Sequence, residues 1–168
     1  MKLKVGQIAP NFLTKDVLGS QIELHQFKGK KIYISLLRNT RCPMCSLFLY
    51  RLSKKATELI EKGLEIIVFY ESHEKMFFYS DYFQNLVLRP KLFPIVSDTE
   101  RKVYSLYKAE VLPTEVANER FLKANRMAQF AQIQQLGITG DGIEEGTHQG
   151  AVPADFLIDE NLIIQHAH

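Results

Sequence analysis

Along the first thirty residues the apolar positions are sparse and alternate. Val5, Ile8, Phe12 and Leu13 precede a turn at residues 16–20, and Ile22 and Leu24 resume the alternation after it. This spacing predicts a small antiparallel hairpin. After Gly29-Lys30-Lys31 the pattern changes to Ile32-Tyr33-Ile34-Ser35-Leu36-Leu37, a short and almost continuous apolar run. Such a run predicts a strand buried on both faces, the central strand of a sheet. Apolar residues then fall at 45, 48, 49, 52, 56, 59 and 60, the spacing of one helical face. Pro43 suits the first turn of that helix because its missing N–H would have had no partner there, and Gly63 suits the position just past the end. Ile66, Ile67, Val68 and Phe69 supply a second buried strand over residues 64–70. A strand, helix, strand unit of this length pairs its strands in parallel through a right-handed crossover.

Residues 73–88 carry Met76, Phe77, Phe78, Tyr79, Tyr82 and Phe83 and are predicted to form one helix. Its aromatic residues extend around more than one face and cannot all enter a single core, so part of the cluster is expected between copies of a homo-oligomer. Residues 93–96 read as a short strand. Ser97-Asp98-Thr99-Glu100 has the spacing of a capping box and predicts a helix through Tyr107. Thr114 is the expected cap of a further helix running to Leu136 and stopped by Gly137. Five of the nine glycines lie between Gly137 and Gly150, in a polar stretch that reads as a flexible surface loop. Residues 154–158 and 162–166 flank a turn at 159–161 and predict a terminal antiparallel hairpin. No repeat or low-complexity linker divides the chain, so its 168 residues, 46 % of them hydrophobic, are expected to form a single domain around one core.

Charge narrows the partners. The 21 Lys and Arg nearly balance the 19 Asp and Glu, and the signs are mixed along the chain. Neither nucleic acid nor an anionic membrane surface is the expected partner of such a distribution. No apolar stretch approaches the roughly 18 residues that cross a bilayer, and Met1-Lys2-Leu3-Lys4 leads into polar and turn residues instead of an apolar signal core. The expected setting is cytoplasmic.

Cys42 and Cys45, the only cysteines, sit three apart. Two cysteines placed at random would show this separation about once in eighty trials, so the spacing asks for a chemical reason. In a reducing compartment the candidates are redox exchange and half of a metal site. Zinc lacks a second Cys-x-x-Cys or a paired histidine motif to complete four ligands, and no metal or cofactor is expected. An inert buried pair leaves both Pro43 and the spacing unexplained. Redox exchange explains them. At the helix entrance Cys42 would meet the partial positive charge of the N-terminus and the neighbouring Arg38 and Arg41, which favour its thiolate, and it is expected to present that sulfur to solvent. Cys45 lies one turn inside, on the face of Phe48, Leu49 and Leu52, where desolvation would hold its pKa up. Cys42 is then the attacking sulfur and Cys45 the one that closes an intramolecular disulfide. His166 and His168 alternate onto one strand face and are given no role.

The order of these elements, with a Cys-x-x-Cys at a helix start and Pro153 before a terminal hairpin, resembles the thioredoxin fold: an α/β domain with a central mixed sheet flanked by helices, here with an N-terminal hairpin extension. More narrowly, the chain resembles the peroxiredoxin-like proteins, the alkyl hydroperoxide reductase and thiol-specific antioxidant group. Val5-Gly6-Gln7-Ile8-Ala9-Pro10-Asn11-Phe12, residues 24–31, residues 38–45, Phe93-Pro94-Ile95-Val96-Ser97-Asp98 and Pro153-Ala154-Asp155-Phe156-Leu157-Ile158-Asp159 carry the likeness. It implies reduction of a hydroperoxide by the cysteine pair, with recharging by a dithiol protein such as thioredoxin or by glutathione. It also implies that Pro153 is a cis proline lying against the pair. Three departures stand out. Thr40 precedes Cys42 by two residues instead of three, residues 152–155 hold no arginine, and the chain ends at His168 where the fold normally continues into a helix. Two rival functions are therefore carried: a thioredoxin or glutaredoxin-like disulfide reductase without peroxidase activity, and a non-catalytic binding module.

Overall fold

The strands Lys31–Leu36 (β3) and Leu64–Tyr70 (β4) pair in parallel, from Lys31 opposite Leu64 to Leu36 opposite Phe69. In this computed structural model, which describes residues 3–168 and so leaves Met1 and Lys2 of the polar entry outside the described residues, they form the middle of a five-stranded sheet. Ile95–Ser97 (β5) adds in parallel beyond β4, while Ala154–Ile158 (β6) and Ile164–Ala167 (β7) add antiparallel on the other side, giving the order β5-β4-β3-β6-β7. The fold is thus a mixed α/β sheet of the expected type. A separate two-stranded hairpin, Leu13–Lys15 (β1) with Gln21–Glu23 (β2), precedes it, and residues 6–9 hydrogen-bond along the outer edge of the last hairpin.

The continuous apolar runs of β3 and β4 arise because both faces of the sheet are covered. Ile32, Ile34, Leu36, Ile67 and Phe69 enter a cluster with Phe12, Val103, Tyr104, Tyr107 and Phe156. Ile66, Val68 and Tyr70 point the other way, toward Leu49, Ala56, Phe77 and Phe83. The crossover between the strands is the helix Pro43–Glu61 (α1), with Cys42 at its N-cap, Pro43 at its first position and Gly63 at φ +87° just past its end. Its buried stripe includes Cys45, Leu49 and Ala56 as expected, but Leu47 is buried as well and Ile60 is exposed.

Three local expectations are corrected. Residues 73–88 are not one helix: Lys75–Phe78 (α2) and Asp81–Phe83 (α3) are separated at Ser80, which is extended, and α3 runs into a π-turn at Gln84–Leu88. On an unbroken helix Phe77 and Phe83 would point about 120° apart. The break lets both reach Tyr70, edge-on at 5.3 and 5.7 Å, and each other at 5.2 Å. Phe78 and Tyr79 remain exposed, Tyr79 at 85 %.

Ser97 does not cap the helix Lys102–Leu106 (α4). Its hydroxyl donates to the Ser72 carbonyl at 2.6 Å, and the Asp98 carboxylate accepts instead from the N–H groups of Lys102 and Val103 at 2.9 and 2.8 Å. Residues 114–136 form two helices, Thr114–Lys123 (α5) and Met127–Gln135 (α6), divided at Asn125, whose φ is +39°. The bend folds Phe130 back onto the edge of Phe121 at 5.8 Å, while Arg51 of α1 donates from Nε to the Gln132 side chain at 3.0 Å. Pro113, not Thr114, occupies the N-cap position of α5. No described helix is long and apolar enough to cross a membrane.

Candidate active site

An N-cap side chain normally offers an oxygen to the free N–H groups of the first helical turn. In α1 the Cys42 sulfur takes that place, accepting from the Cys45 N–H at 3.4 Å, at the positive end of a 19-residue helix. The Arg38 guanidinium stands 3.9 Å from the same sulfur through Nη1. Both thiols are free. Both are also buried, Cys42 at 4 % exposure and Cys45 at 3 %, so the expectation that Cys42 faces solvent is corrected.

What separates the two sulfurs is hydrogen bonding. The Cys45 thiol donating to it, helped by the N–H groups of Cys45 and Met44 and by the Arg38 charge, outweighs burial and lowers the Cys42 pKa to about 6. Cys45, the donor in that bond and fully buried beside the developing charge, is pushed well up. The Tyr70 hydroxyl is buried within electrostatic reach of both sulfurs, without a hydrogen-bond partner among the described residues, and burial raises its pKa.

The candidate arginines do not share this task. Arg38 reaches the sulfur, whereas Arg41 is exposed and pairs with Asp141 at 2.8 Å. Thr40 is held by the chain that crosses above it: its N–H and hydroxyl donate to Glu144 Oε2 at 3.0 and 2.7 Å, and Ser72 donates to the same oxygen at 2.9 Å. Pro43 begins α1 as expected. Pro153 does not behave as the resemblance implies, because its peptide bond is trans and the residue is exposed at the start of β6. Among the described residues no group of three or more His, Cys, Asp or Glu is arranged to hold a metal ion.

Residues 137–150 are the main surprise. Far from a loose surface loop, they form a strap over the segment that carries Cys42. Asn39 Nδ2 donates to the Gly142 carbonyl and the Thr147 hydroxyl, the Gly142 N–H donates to the Arg41 carbonyl at 3.0 Å, and Arg38 Nη2 donates to the Gln149 carbonyl at 2.8 Å. With the Thr40–Glu144 and Arg41–Asp141 pairs, each of residues 38–41 has a partner in the strap. Gly140 lies so close beneath that a Cβ there would fall 2.1 Å from the Arg41 carbonyl oxygen. Close approach, not flexibility, explains this glycine. The residues missed from the sequence are therefore Asn39, Ser72, Glu144 and Gln149. Only Ser72, a buried polar residue two positions after a buried strand, carried a local signal.

Arg38→Met is expected to raise the Cys42 pKa by removing the nearest full charge. The rate of iodoacetamide modification near pH 6 should fall about three- to tenfold, with little change above pH 9, where the thiolate forms regardless. An unchanged pH profile counts against the role given to Arg38.

Two sulfurs prepared so unequally on one helical turn are arranged for thiol–disulfide chemistry, which places the chain among the thioredoxin-fold thiol oxidoreductases. Within that class it belongs to the AhpC/TSA family, whose model matches residues 5–167. It is 29 % identical over 143 residues to the thiol-disulfide oxidoreductase ResA of Halalkalibacterium halodurans, covering 84 % of this chain and 74 % of that protein. The matches to Bacillus proteins of the same name span only 58–62 % of their length. It is also 30 % identical over 112 residues to the protein named "Putative peroxiredoxin bcp" of Helicobacter pylori, covering 64 % of this chain and 68 % of that one. The structure of a yeast mitochondrial 1-Cys peroxiredoxin superimposes with a TM-score of 0.66 at 18 % identity, over 99 % of this chain and 67 % of the other, and shares its fold.

Proposed function

We propose that this thiol oxidoreductase reduces hydroperoxides. The Cys42 thiolate attacks the O–O bond, the distal oxygen passes to sulfur as a sulfenic acid, and the leaving alkoxide or hydroxide takes up a proton. The Cys45 thiol then condenses with the sulfenic acid, releasing water and closing the Cys42–Cys45 disulfide. A dithiol protein such as thioredoxin, or two glutathione molecules, returns the pair to thiols. The observation that carries this reading is Arg38: its Nη1 lies 3.9 Å from the sulfur, and its Nε is buried with no hydrogen-bond partner among the described residues. A fixed cation with a spare donor beside the nucleophile suits the oxyanion that leaves a cleaved peroxide. A cytoplasmic setting, in which the thiols stay reduced, is part of the proposal.

Hydrogen peroxide consumption with thioredoxin and with glutathione tests it. Stoichiometric oxidation of the reduced protein by peroxide, sustained by one of these donors, is the expected result. Efficient reduction of protein disulfides with no reaction toward peroxide rejects it in favour of disulfide exchange. The Cys-x-x-Cys pair within one helical turn and the ResA-type relatives favour this second reading. Function retained by a Cys42→Ser, Cys45→Ser double variant would instead mark a binding module.

Self-association belongs to the same proposal. Phe78 and Tyr79, left outside the core by the break at Ser80, would form its contact. Sedimentation at high micromolar concentration should show a dimer or larger species, and a strictly monomeric mass removes that part.

A further inference from the structure

Glu71 has no part in the chemistry above, yet it is 2 % exposed and satisfied from several sides. Its carboxylate pairs with the Arg101 guanidinium, which lies over the Tyr104 ring at 4.6 Å and donates through Nη2 to the Ala109 carbonyl. The second carboxylate oxygen accepts from the His148 N–H at 2.9 Å and lies 3.1 Å from His148 Nδ1. Its backbone N–H donates to the Arg38 carbonyl at 2.9 Å. The residue after His148 is Gln149, whose carbonyl accepts from Arg38 Nη2. Arg38 is therefore tied to Glu71 twice, once at its backbone and once at its guanidinium through the strap.

We propose that Glu71 is a positioning residue which, through its own N–H and through His148, fixes the Arg38 guanidinium against the Cys42 sulfur. Two apolar side chains would fill the space of the Glu71–Arg101 pair with a smaller desolvation cost. A carboxylate supplies what they cannot, a second acceptor for the strap once the first is taken by Arg101. The inference rests on Cys42 being the reactive thiolate. It does not depend on which oxidant is the substrate.

The groups acting on Cys42 are the Cys45 thiol and N–H, the Arg38 charge and the Met44 N–H, with the Tyr70 hydroxyl within electrostatic reach of the sulfur. Titration of the thiolate by its ultraviolet absorbance in the reduced protein reads their combined effect without turnover. Glu71→Gln, which leaves one oxygen to serve Arg101 and the strap, should move the midpoint upward and cut the thiolate fraction near pH 6 about threefold. A double variant, E71L/R101L, removes both buried charges together, so that neither is left unpaired. It should give the same upward shift if E71Q does not fold.

Combination with Arg38→Met separates positioning from mere support of the fold. In that background E71Q should leave the midpoint where Arg38→Met alone puts it, while its effect on melting temperature persists. An unchanged midpoint in folded E71Q or E71L/R101L overturns the inference. So does a shift of equal size with Arg38 already removed. Failure of the peroxidase reading would show separately, in the peroxide assay of the unaltered protein.

Discussion

Cys42→Ser abolishes turnover with any oxidant and dithiol donor, a loss of about three orders of magnitude or more, because the step that forms the first covalent bond to sulfur has no other nucleophile as well prepared. Cys45→Ser behaves differently. Cys42 keeps its place at the α1 N-cap, the Cys45 N–H donor and Arg38, so the first oxidation still occurs. What is lost is the thiol that closes the disulfide, and the protein accumulates as a sulfenic acid or mixed disulfide that dimedone labelling and intact mass detect. The first oxidation by peroxide also has a definite pH dependence. A thiol whose pKa is lowered to about 6 is protonated and slow below that value, gains rate as pH rises through it, and is flat by pH 8. An ordinary cysteine would still be gaining rate there. Cys45→Ala, which leaves no side-chain donor at that position, should lose part of this advantage, since the hydrogen bond from the Cys45 thiol is the largest cause of the lowered value.

The second large effect is structural. Gly150 sits where a Cβ would fall 1.8 Å from the Leu112 carbonyl oxygen, with Leu112 donating its own N–H to the Gly150 carbonyl at 2.9 Å. The obstacle is backbone and cannot swing aside as a side chain would. Gly150→Ala must therefore displace the strap beside Gln149, at a cost of about 2–4 kcal/mol. For a chain of this size that lowers the melting temperature by about 5–15 °C. The displacement should also slow Cys42 modification near pH 6, because the Gln149 carbonyl that holds Arg38 moves with it. Gly146 is the control in the same strap: φ is +82° but nothing lies within 4 Å of a Cβ, so Gly146→Ala costs only about 1–2 kcal/mol of left-handed strain. Calorimetry of the two variants checks the ranking. Equal melting points would contradict the close packing of the strap.

The sequence made some of this legible and hid the rest for physical reasons. The β4 strand was readable to the residue, and α1 to within a residue or two, because their signals are local. A continuous apolar run marks a doubly covered strand, and proline and glycine mark the two ends of a helix. The break at Ser80 was not readable, because its advantage lies in bringing Phe77 and Phe83 to Tyr70, a contact made in three dimensions. The capping-box spacing points to Ser97, yet the role falls to Asp98 because the Ser72 carbonyl claims the Ser97 hydroxyl.

At the site, the cysteine pair and the arginine candidates were visible from spacing and residue type. Which arginine serves the sulfur was not, since it depends on Asp141 and Gln149, roughly a hundred residues along the chain. The burial of Cys42 was hidden because it comes from a cluster that gathers Val17, Leu37, Leu49 and Tyr70 from separate elements. Glycine-rich stretches look mobile from sequence, but Gly140 and Gly150 are there to let two backbones touch.

The proposed function makes Cys42, and not Cys45, the reactive thiolate of a redox pair. Site-resolved alkylation measures this most directly: reduced protein is treated briefly with substoichiometric iodoacetamide at a series of pH values, and the label on each cysteine is quantified by peptide mass. Label on Cys42 alone, rising with a midpoint near pH 6 while Cys45 stays unmodified, is the expected result. Label appearing first on Cys45, or two thiols that stay inert until the ordinary cysteine range, would contradict it.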